Sequence, residues 1–177
     1  LKKTDHLLGL FEPSHMQYEL NRSQDEAGEP SLTDLTETSI NMLSQKNKPY
    51  FLMIEGGRID HGHHAGYAKL AITETAEFSN AVEKALSLVD LNETLIIVTA
   101  DHAHTMTIRG YAQRGNPTAD DYKQAATLPM HSETHSGEDV VIYATGAGSQ
   151  LVRGVMEQNV IYHIMKAAIS EQLKGTH

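Results

Sequence analysis

Histidine clusters are the feature of this sequence that most directly suggests chemistry. Seven of the eleven histidines lie in three short stretches of the chain: His61, His63, His64, His102, His104, His131 and His135. Carboxylates accompany them, because Glu55 and Asp60 belong to the first stretch and Asp101 begins the second. Mixed histidine and carboxylate ligands are typical of catalytic zinc, whereas a single histidine-rich tract can be only a solvated loop. Since the clusters recur in three separated places, the sequence predicts a divalent metal site.

Predicted strands would position two of these clusters. Residues 50–54 form an apolar run that predicts a buried strand ending at Glu55. The β-branched run 94–100 predicts a second strand, buried on both faces, that ends at Asp101. In open α/β sheets, ligands bind outside the carboxyl ends of the strands. We therefore expect the first two clusters to meet at one edge of a sheet.

Helical patterns separate the predicted strands. Ser31 followed by Asp34 predicts a capped helix start, and residues 67–89 predict a long amphipathic helix. A third strand is predicted at residues 140–144, and this alternation of strands and helices indicates an α/β fold with a mainly parallel sheet. Residues 105–134 contain no clear element, and a loop of that length is usually functional.

Composition limits the function classes. The chain has 177 residues, which suits one domain or part of a larger one. Its formal net charge of −9 argues against a nucleic-acid partner. A mean hydropathy of −0.38 without a long apolar run argues against a transmembrane span. Because there is no cysteine, the metal ligands must be histidine, aspartate and glutamate.

Ligands of these types in three segments are typical of a binuclear hydrolase. Two metal ions about 4 Å apart can hold the entering and leaving oxygens of an in-line displacement, and a carboxylate-rich position suits magnesium. Spacing alone leaves phosphate monoesters, phosphodiesters and peptides open as substrates. His104 is as well suited to support a ligand by a hydrogen bond as to bind metal. His63 and His131 are more typical of solvated or structural histidines.

Three motifs resemble the C-terminal half of the alkaline phosphatase family, in the family's order. They are Glu-Gly-Gly-Arg-Ile-Asp-His-Gly-His-His (55–64), Thr-Ala-Asp-His-x-His (99–104) and Glu-Thr-His-x-Gly-Glu-Asp (133–139). Leu-Leu-Gly-Leu-Phe-Glu-Pro (7–13) also resembles the animal members, so the resemblance covers nearly the whole chain. It implies a three-layer α/β sandwich with a mainly parallel central sheet, of which residues 1–177 are the C-terminal part of a single domain.

The resemblance also implies the metal ligands by motif position. They are Asp60, His64 and His135 for a first zinc, Asp101 and His102 for a second zinc, and Glu55 for a magnesium. His61 would lie near the phosphate, and His104 would support Asp60 without binding metal. A calcium site of the animal members would use the carbonyl of Phe11 with Glu12 and Glu29, where glutamate replaces the expected aspartate.

The activity implied by the resemblance is hydrolysis of phosphate monoesters at alkaline pH through a phosphoserine intermediate. The nucleophilic serine, the aspartate that bridges zinc and magnesium, and the phosphate-binding arginine have no counterpart here, so this chain alone is expected to be inactive. The crown insertion of the animal members also has no counterpart near residues 116–118, which leaves the family's homodimer contact open. Two alternatives remain: a related metallo-phosphodiesterase or phosphomutase, and a short product that binds metal or a partner without turnover.

The same resemblance implies an extracellular protein, either secreted or held at the cell surface by a GPI lipid anchor. Asn21 and Asn92 lie in sequons, which would be acceptors of N-linked glycans in a secreted protein. Residues 161–169 carry an amphipathic pattern that is not followed by a hydrophobic tail, so an anchor signal cannot be read from these residues.

Overall fold

The computed structural model describes residues 6–46, 48–106 and 130–170. Within these ranges the chain forms five helices: α1 (Glu19–Arg22), α2 (Leu32–Ser44), α3 (Arg58–His64), α4 (Ala68–Leu88) and α5 (Val160–Ile169). The strands described there are β1 (Leu95–Val98), β2 (Ala103–Met106), β3 (Met130–Ser136) and β4 (Tyr143–Gly146). A short 3-10 helix spans Ser149–Leu151. None of the helices in the described ranges has the length and apolarity that crossing a bilayer requires.

Helix α4 is the element against which α1, α2 and α3 pack. Its amphipathic pattern puts small and aliphatic residues on the covered face, and the buried apolar side chains of the described residues are Ile40, Leu70, Ala71, Ala81, Ala85 and Ile164. Helix α2 begins as predicted, because the Ser31 hydroxyl accepts the Asp34 N–H and the Asp34 carboxylate accepts the Ser31 N–H. Both helices predicted from periodicity are thereby confirmed.

Two carboxylates of α4 fix the starts of the neighbouring helices. The Glu77 carboxylate accepts the Thr33 N–H of α2 at 2.9 Å, and the Glu74 carboxylate accepts the Glu19 N–H of α1 at 2.5 Å. These N–H groups belong to the first turns of their helices, where no helical acceptor exists. Burial raises the pKa of Glu74, so its hydrogen bond is made by a carboxylate removed from water.

The described strands form two antiparallel ladders, β1 with β4 and β2 with β3. Strand β1 lies within the predicted run 94–100, and β4 begins three residues later than predicted, at Tyr143. Parallel pairing, which the sequence led us to expect, is not observed among the described strands. Strand β1 is half-buried and not covered on both faces, which is typical of antiparallel sheets and not of parallel ones, and its described neighbour β4 runs antiparallel to it.

Residues 50–54 form no ladder with any described strand, so the strand predicted there is not observed in these ranges. An apolar run favours a strand, but a ladder also needs a neighbour that supplies N–H and C=O partners. Phe51 and Met53 are 57% and 74% exposed, while Leu52 and Ile54 are partly covered. The prediction that residues 105–134 contain no regular element is wrong at both ends, where β2 and β3 pair. The middle of this segment, including residues 116–118, lies outside the described residues.

Candidate metal centre

Helix α3 carries the first cluster, where the sequence suggested a loop. Asp60 and His64 are four residues apart and therefore share one face of α3. The chain leaves the helix through Gly66, whose φ of 63° is the left-handed conformation that favours glycine. Hydrogen bonds from Gly66 N–H to the His63 carbonyl and from Tyr67 N–H to the Gly62 carbonyl close this C-terminal cap.

Close packing of α3 on α4 depends on Gly62. This glycine is buried, and a Cβ added there would lie 2.6 Å from the Ala71 nitrogen and 2.9 Å from its Cα. Real Cβ atoms do not approach backbone atoms so closely. Gly62 therefore allows the short distance between α3 and α4, and any other residue at position 62 would increase it.

The β2–β3 ladder brings in the second and third clusters. His104 of β2 and His135 of β3 are cross-strand partners, and β3 also contacts α3. Partners directly opposite each other in an antiparallel ladder project from the same face of the sheet. The ladder therefore fixes the two histidines relative to each other and directs them toward α3.

These elements surround one carboxylate oxygen, Oδ1 of Asp60, with imidazole nitrogens. The Nε2 atoms of His64, His104 and His135 each lie 3.4 Å from it, and Nε2 of His102 lies at 3.9 Å. One ligand atom from each of four residues falls within 4.8 Å of the others: Asp60, His64, His104 and His135.

Three of the four ligand atoms have the spacing of a zinc coordination shell. Nε2 of His64 and Nε2 of His135 are 3.1 Å apart, and each is 3.4 Å from Oδ1 of Asp60. Tetrahedral ligands about 2.0–2.1 Å from zinc are separated by roughly 3.3–3.4 Å. The triangle of oxygen and two nitrogens therefore fits one zinc ion without rearrangement of the fold.

His64 is held in the tautomer that a metal ligand needs. Its Nδ1 lies 2.6 Å from the carbonyl oxygen of Glu133, and a carbonyl can only accept, so Nδ1 carries the proton. In the neutral ring, Nε2 is then the unprotonated nitrogen, and it faces Asp60 and His135. No feature of the sequence indicated this contact, because every residue type has a carbonyl.

His104 is the buried member of the cluster, with its side chain 6% exposed. Its ring stacks on His63 with a centroid distance of 4.7 Å, and His63 is not among the four residues whose ligand atoms meet. Burial lowers the pKa of His104, which keeps its ring neutral at pH 7. Its position beside Oδ1 suits both a supporting hydrogen bond and a fourth ligand.

Unpartnered buried atoms test whether these residues fit a metal. Oδ1 of Asp60 and both ring nitrogens of His104 are buried and make no hydrogen bond. Buried polar atoms without partners are costly, and a bound cation would satisfy the Asp60 oxygen. The donor set of a carboxylate and imidazoles is one that zinc prefers. The residues present therefore fit the predicted ion.

The residues expected at the second zinc and the magnesium lie outside the group of four ligand atoms around Asp60. His102 stacks on His135 at a centroid distance of 3.7 Å, and its Nε2 lies 3.4 Å from a carboxylate oxygen of Asp101, which is 82% exposed. The Glu55 carboxylate folds back over Gly57, where an added Cβ would lie 3.2 Å from it. Among the described residues, neither carboxylate joins the group of four ligand atoms.

His61 lies on another side of α3, where it contacts two residues that the sequence did not single out. Its Nδ1 is 3.4 Å from Nη1 of Arg58, and the ring of His15 meets it edge-on at 4.3 Å. Burial and the neighbouring positive groups lower the pKa of His61. No periodicity or motif pointed to His15, because its loop and α3 are distant in the sequence.

The residues expected to hold calcium meet around Gln17. Its N–H donates to a Glu29 carboxylate oxygen at 2.7 Å, and its side-chain amide donates to Glu12 at 3.4 Å. Glu29 is 5% exposed, and its other oxygen is buried without a hydrogen-bond partner. That orphaned oxygen suits an oxygen-coordinated cation. The Phe11 ring packs over Gly9 and is 43% exposed.

Comparison with known proteins gives a consistent match. A family model described as alkaline phosphatase matches residues 1–119 and 116–171. The tissue-nonspecific isozyme of alkaline phosphatase from Felis catus is 39% identical over 206 residues, which cover 93% of this chain and 39% of that protein. The chain thus spans about two fifths of the length of such curated relatives.

Solved structures agree in fold. The alkaline phosphatase from the Antarctic bacterium TAB5 matches with a TM-score of 0.68 and 30% identity, over 84% of this chain and 43% of that chain. A variant of the TAB5 enzyme, with TM-score 0.66 and 30% identity over 78% of this chain and 41% of that chain, has Mg bound in its M3 site. These neighbours are α/β proteins, and the predicted fold class is confirmed.

Proposed function

The chain belongs to the alkaline phosphatase family, and from this premise we propose that the protein hydrolyses phosphate monoesters. The observation that carries the proposal is the group of ligand atoms from Asp60, His64, His104 and His135. A family match alone would fit an inactive relative. A triangle of ligand atoms with zinc-like spacing supports a working metal centre.

We propose that residues 1–177 are the C-terminal part of one domain, with the nucleophilic serine in sequence outside them. The two-fifths coverage of the relatives supports this division. The match to the Felis catus protein extends over 206 positions but includes 93% of 177 residues, so about 40 positions of the relative have no counterpart here. The family model also divides at residues 116–119, which supports a missing crown insertion near 116–118. We propose that the complete protein forms a homodimer, although the crown that contributes to the family's dimer contact has no counterpart here.

In the complete protein, Asp60, His64 and His135 would hold one zinc, Asp101 and His102 a second, and Glu55 a magnesium. When bound, zinc supplies positive charge that stabilises the entering and leaving oxygens of phosphoryl transfer to the serine. The Glu133 carbonyl orients His64, and the buried His104, whose Nε2 lies 3.4 Å from Oδ1 of Asp60, would restrain that carboxylate. His61 would present its ring to the phosphate. Glu12, Glu29 and the Phe11 carbonyl would hold the calcium.

We further propose that the protein is extracellular, either secreted or lipid-anchored, as its relatives' family implies. Of the two sequons, Asn92 is the better glycan acceptor. It is exposed in the turn between α4 and β1, and its side-chain amide is held only by the neighbouring Asp90 at 2.8 Å. Asn21 is also exposed, but it lies within α1.

The mass of the native protein, before and after removal of N-linked glycans, tests both the length of the polypeptide and its proposed extracellular location. We expect the native polypeptide, purified from medium or cell surface and treated to remove N-linked glycans, to be more than twice the 19.5 kDa of these residues. We also expect the untreated protein to be heavier, and Asn92→Gln to lose more of that difference than Asn21→Gln. A deglycosylated mass of 19.5 kDa would refute the C-terminal division. An unmodified Asn92 in the secreted protein would refute its assignment.

Relative rates on two ester classes test the proposed reaction. The complete protein, supplied with zinc and magnesium, should hydrolyse 4-nitrophenyl phosphate at least about 100-fold faster than bis(4-nitrophenyl) phosphate, in kcat/KM, because a second ester group blocks one phosphoryl oxygen from the cations. The rate should rise on the alkaline side of neutrality, where the serine and water nucleophiles are more readily deprotonated. A preference for the diester would favour the phosphodiesterase alternative, and a maximum below pH 7 would contradict the assignment.

A further inference from the structure

Residues 15–19 lie between the Glu12–Glu29 pair and the helix that carries the metal centre. On one side, Gln17 donates its N–H to Glu29 at 2.7 Å and its side-chain amide to Glu12 at 3.4 Å. Both glutamates are thus connected to a single residue of this segment. The second oxygen of Glu29 is buried without a partner in a residue only 5% exposed, so the pair is built to receive a cation.

On the other side, the segment holds the first residue of α3. The guanidinium carbon of Arg58 lies 3.6 Å from the centroid of the Tyr18 ring. A cation in the first turn of a helix opposes the helix dipole, and Nε of Arg58 is buried without a hydrogen-bond partner. The face of the Tyr18 ring attracts the desolvated guanidinium. This attraction offsets the unfavourable interaction with the helix dipole and the missing hydrogen bond of Nε.

Neighbouring contacts make this connection stiff. The next residue, Glu19, donates its N–H to the Glu74 carboxylate of α4 at 2.5 Å, so the segment is anchored on the scaffold that supports α3. Gln17 and Tyr18 are adjacent in the chain, and Arg58 begins the helix that carries Asp60. Fixing Gln17 therefore restricts Tyr18, which in turn restricts the start of α3.

We propose that Tyr18 is a positioning residue, through which a divalent cation bound at Glu12 and Glu29 tightens the hold of the Asp60 centre on zinc. The cation is of the oxygen-preferring class, because its ligands are carboxylates. The inference rests on the proposed function in that it requires zinc at Asp60, but it concerns metal retention and not turnover. Coupling of this kind is reciprocal, so zinc should strengthen calcium binding by the same factor.

Zinc release measures this coupling directly. The complete zinc-loaded protein is mixed with a chromogenic zinc chelator, with either calcium or no added calcium after calcium-free dialysis. In the wild type, calcium should lower the zinc dissociation constant, obtained from the zinc released to the chelator at equilibrium, at least about fivefold, the lower limit of ordinary coupling between sites. Tyr18→Phe keeps the ring face and should retain the effect. Tyr18→Leu removes the ring and should reduce the effect below about twofold.

A second variant tests the cation site independently of the Tyr18 ring, and a folding control accompanies both variants. Glu29→Gln keeps the shape of the side chain but removes its charge, so calcium binding by calorimetry and the calcium effect on zinc release should be lost together. Circular dichroism establishes that each variant is folded. The inference would be overturned if calcium did not change zinc release from the wild type. It would also be overturned if folded Tyr18→Leu kept the full calcium effect. A protein that retains zinc but hydrolyses no monoester would contradict the proposed reaction alone, whereas one that binds no zinc would contradict both.

Discussion

Replacing His135 by alanine is expected to lower zinc content by one ion per chain and to reduce monoester turnover more than 100-fold. The Nε2 of His135 closes the triangle with His64 and Asp60, at 3.1 and 3.4 Å. Loss of a supporting outer partner of a metal ligand typically costs about 10- to 100-fold, so loss of a ligand itself should cost more. Zinc content by atomic spectrometry and kcat on 4-nitrophenyl phosphate, both in the complete protein, measure the result.

His163→Ala is the matched control for this experiment. His163 is an exposed histidine on α5, where its ring contacts Tyr162 and no member of the metal centre. Its removal should leave zinc content and turnover within about twofold of the wild type, because exposed positions rarely matter to the fold. If His135→Ala keeps its full zinc, His135 is not a ligand, and the proposed arrangement of the centre fails.

Gly62→Ala is expected to have the second largest effect, although the residue bears no functional group. Its added Cβ would meet the Ala71 backbone at 2.6 Å, which a side-chain rotation cannot relieve. Helix α3 must then move away from α4, and overpacking of this kind costs about 1–3 kcal/mol of unfolding free energy. Displacement of Asp60 and His64 with the helix should also weaken zinc binding at least about tenfold, because the zinc shell tolerates little change in ligand distance.

Urea unfolding and zinc titration of the complete protein measure these two losses. Gly137→Ala is the control, since an added Cβ there meets nothing within 4 Å, and it should change neither quantity appreciably. Unaltered stability and zinc affinity in Gly62→Ala would show that the α3–α4 contact is not the constraint described above.

Helices with a complete local signal were predictable from the sequence. Helix α2 has its capping box at Ser31 and Asp34, and α4 has an uninterrupted amphipathic pattern. Helix α3 was missed because it has seven residues, contains Gly62 and has no side-chain cap at its start. The four-residue spacing of Asp60 and His64 was the one available sign that these side chains share a helix face.

Features that depend on distant partners were not predictable in the same way. The apolar run 50–54 favours a strand, yet a ladder forms only where a neighbour supplies its hydrogen bonds. The pairing of β2 with β3 joins short segments whose sequences alternate weakly, so periodicity gave no indication of it. The carbonyl that orients His64 and the ring of Tyr18 under Arg58 are likewise tertiary contacts. The sequence predicted the ligand types, while the fold decides which of them meet.

The distance along the chain between the ligands has a consequence for the order of assembly. His64 and His135 are 71 residues apart in sequence, so the centre cannot form in a nascent chain until the β2–β3 ladder has packed on α3. Closing a loop of this length costs entropy before any ion can repay it. In the proposed zinc-loaded protein, metal capture would therefore be a late step of folding, and the bound ion would slow unfolding. For the proposed zinc centre, scarcity of zinc during synthesis would therefore lower the stability of the folded protein as well as limit its loading.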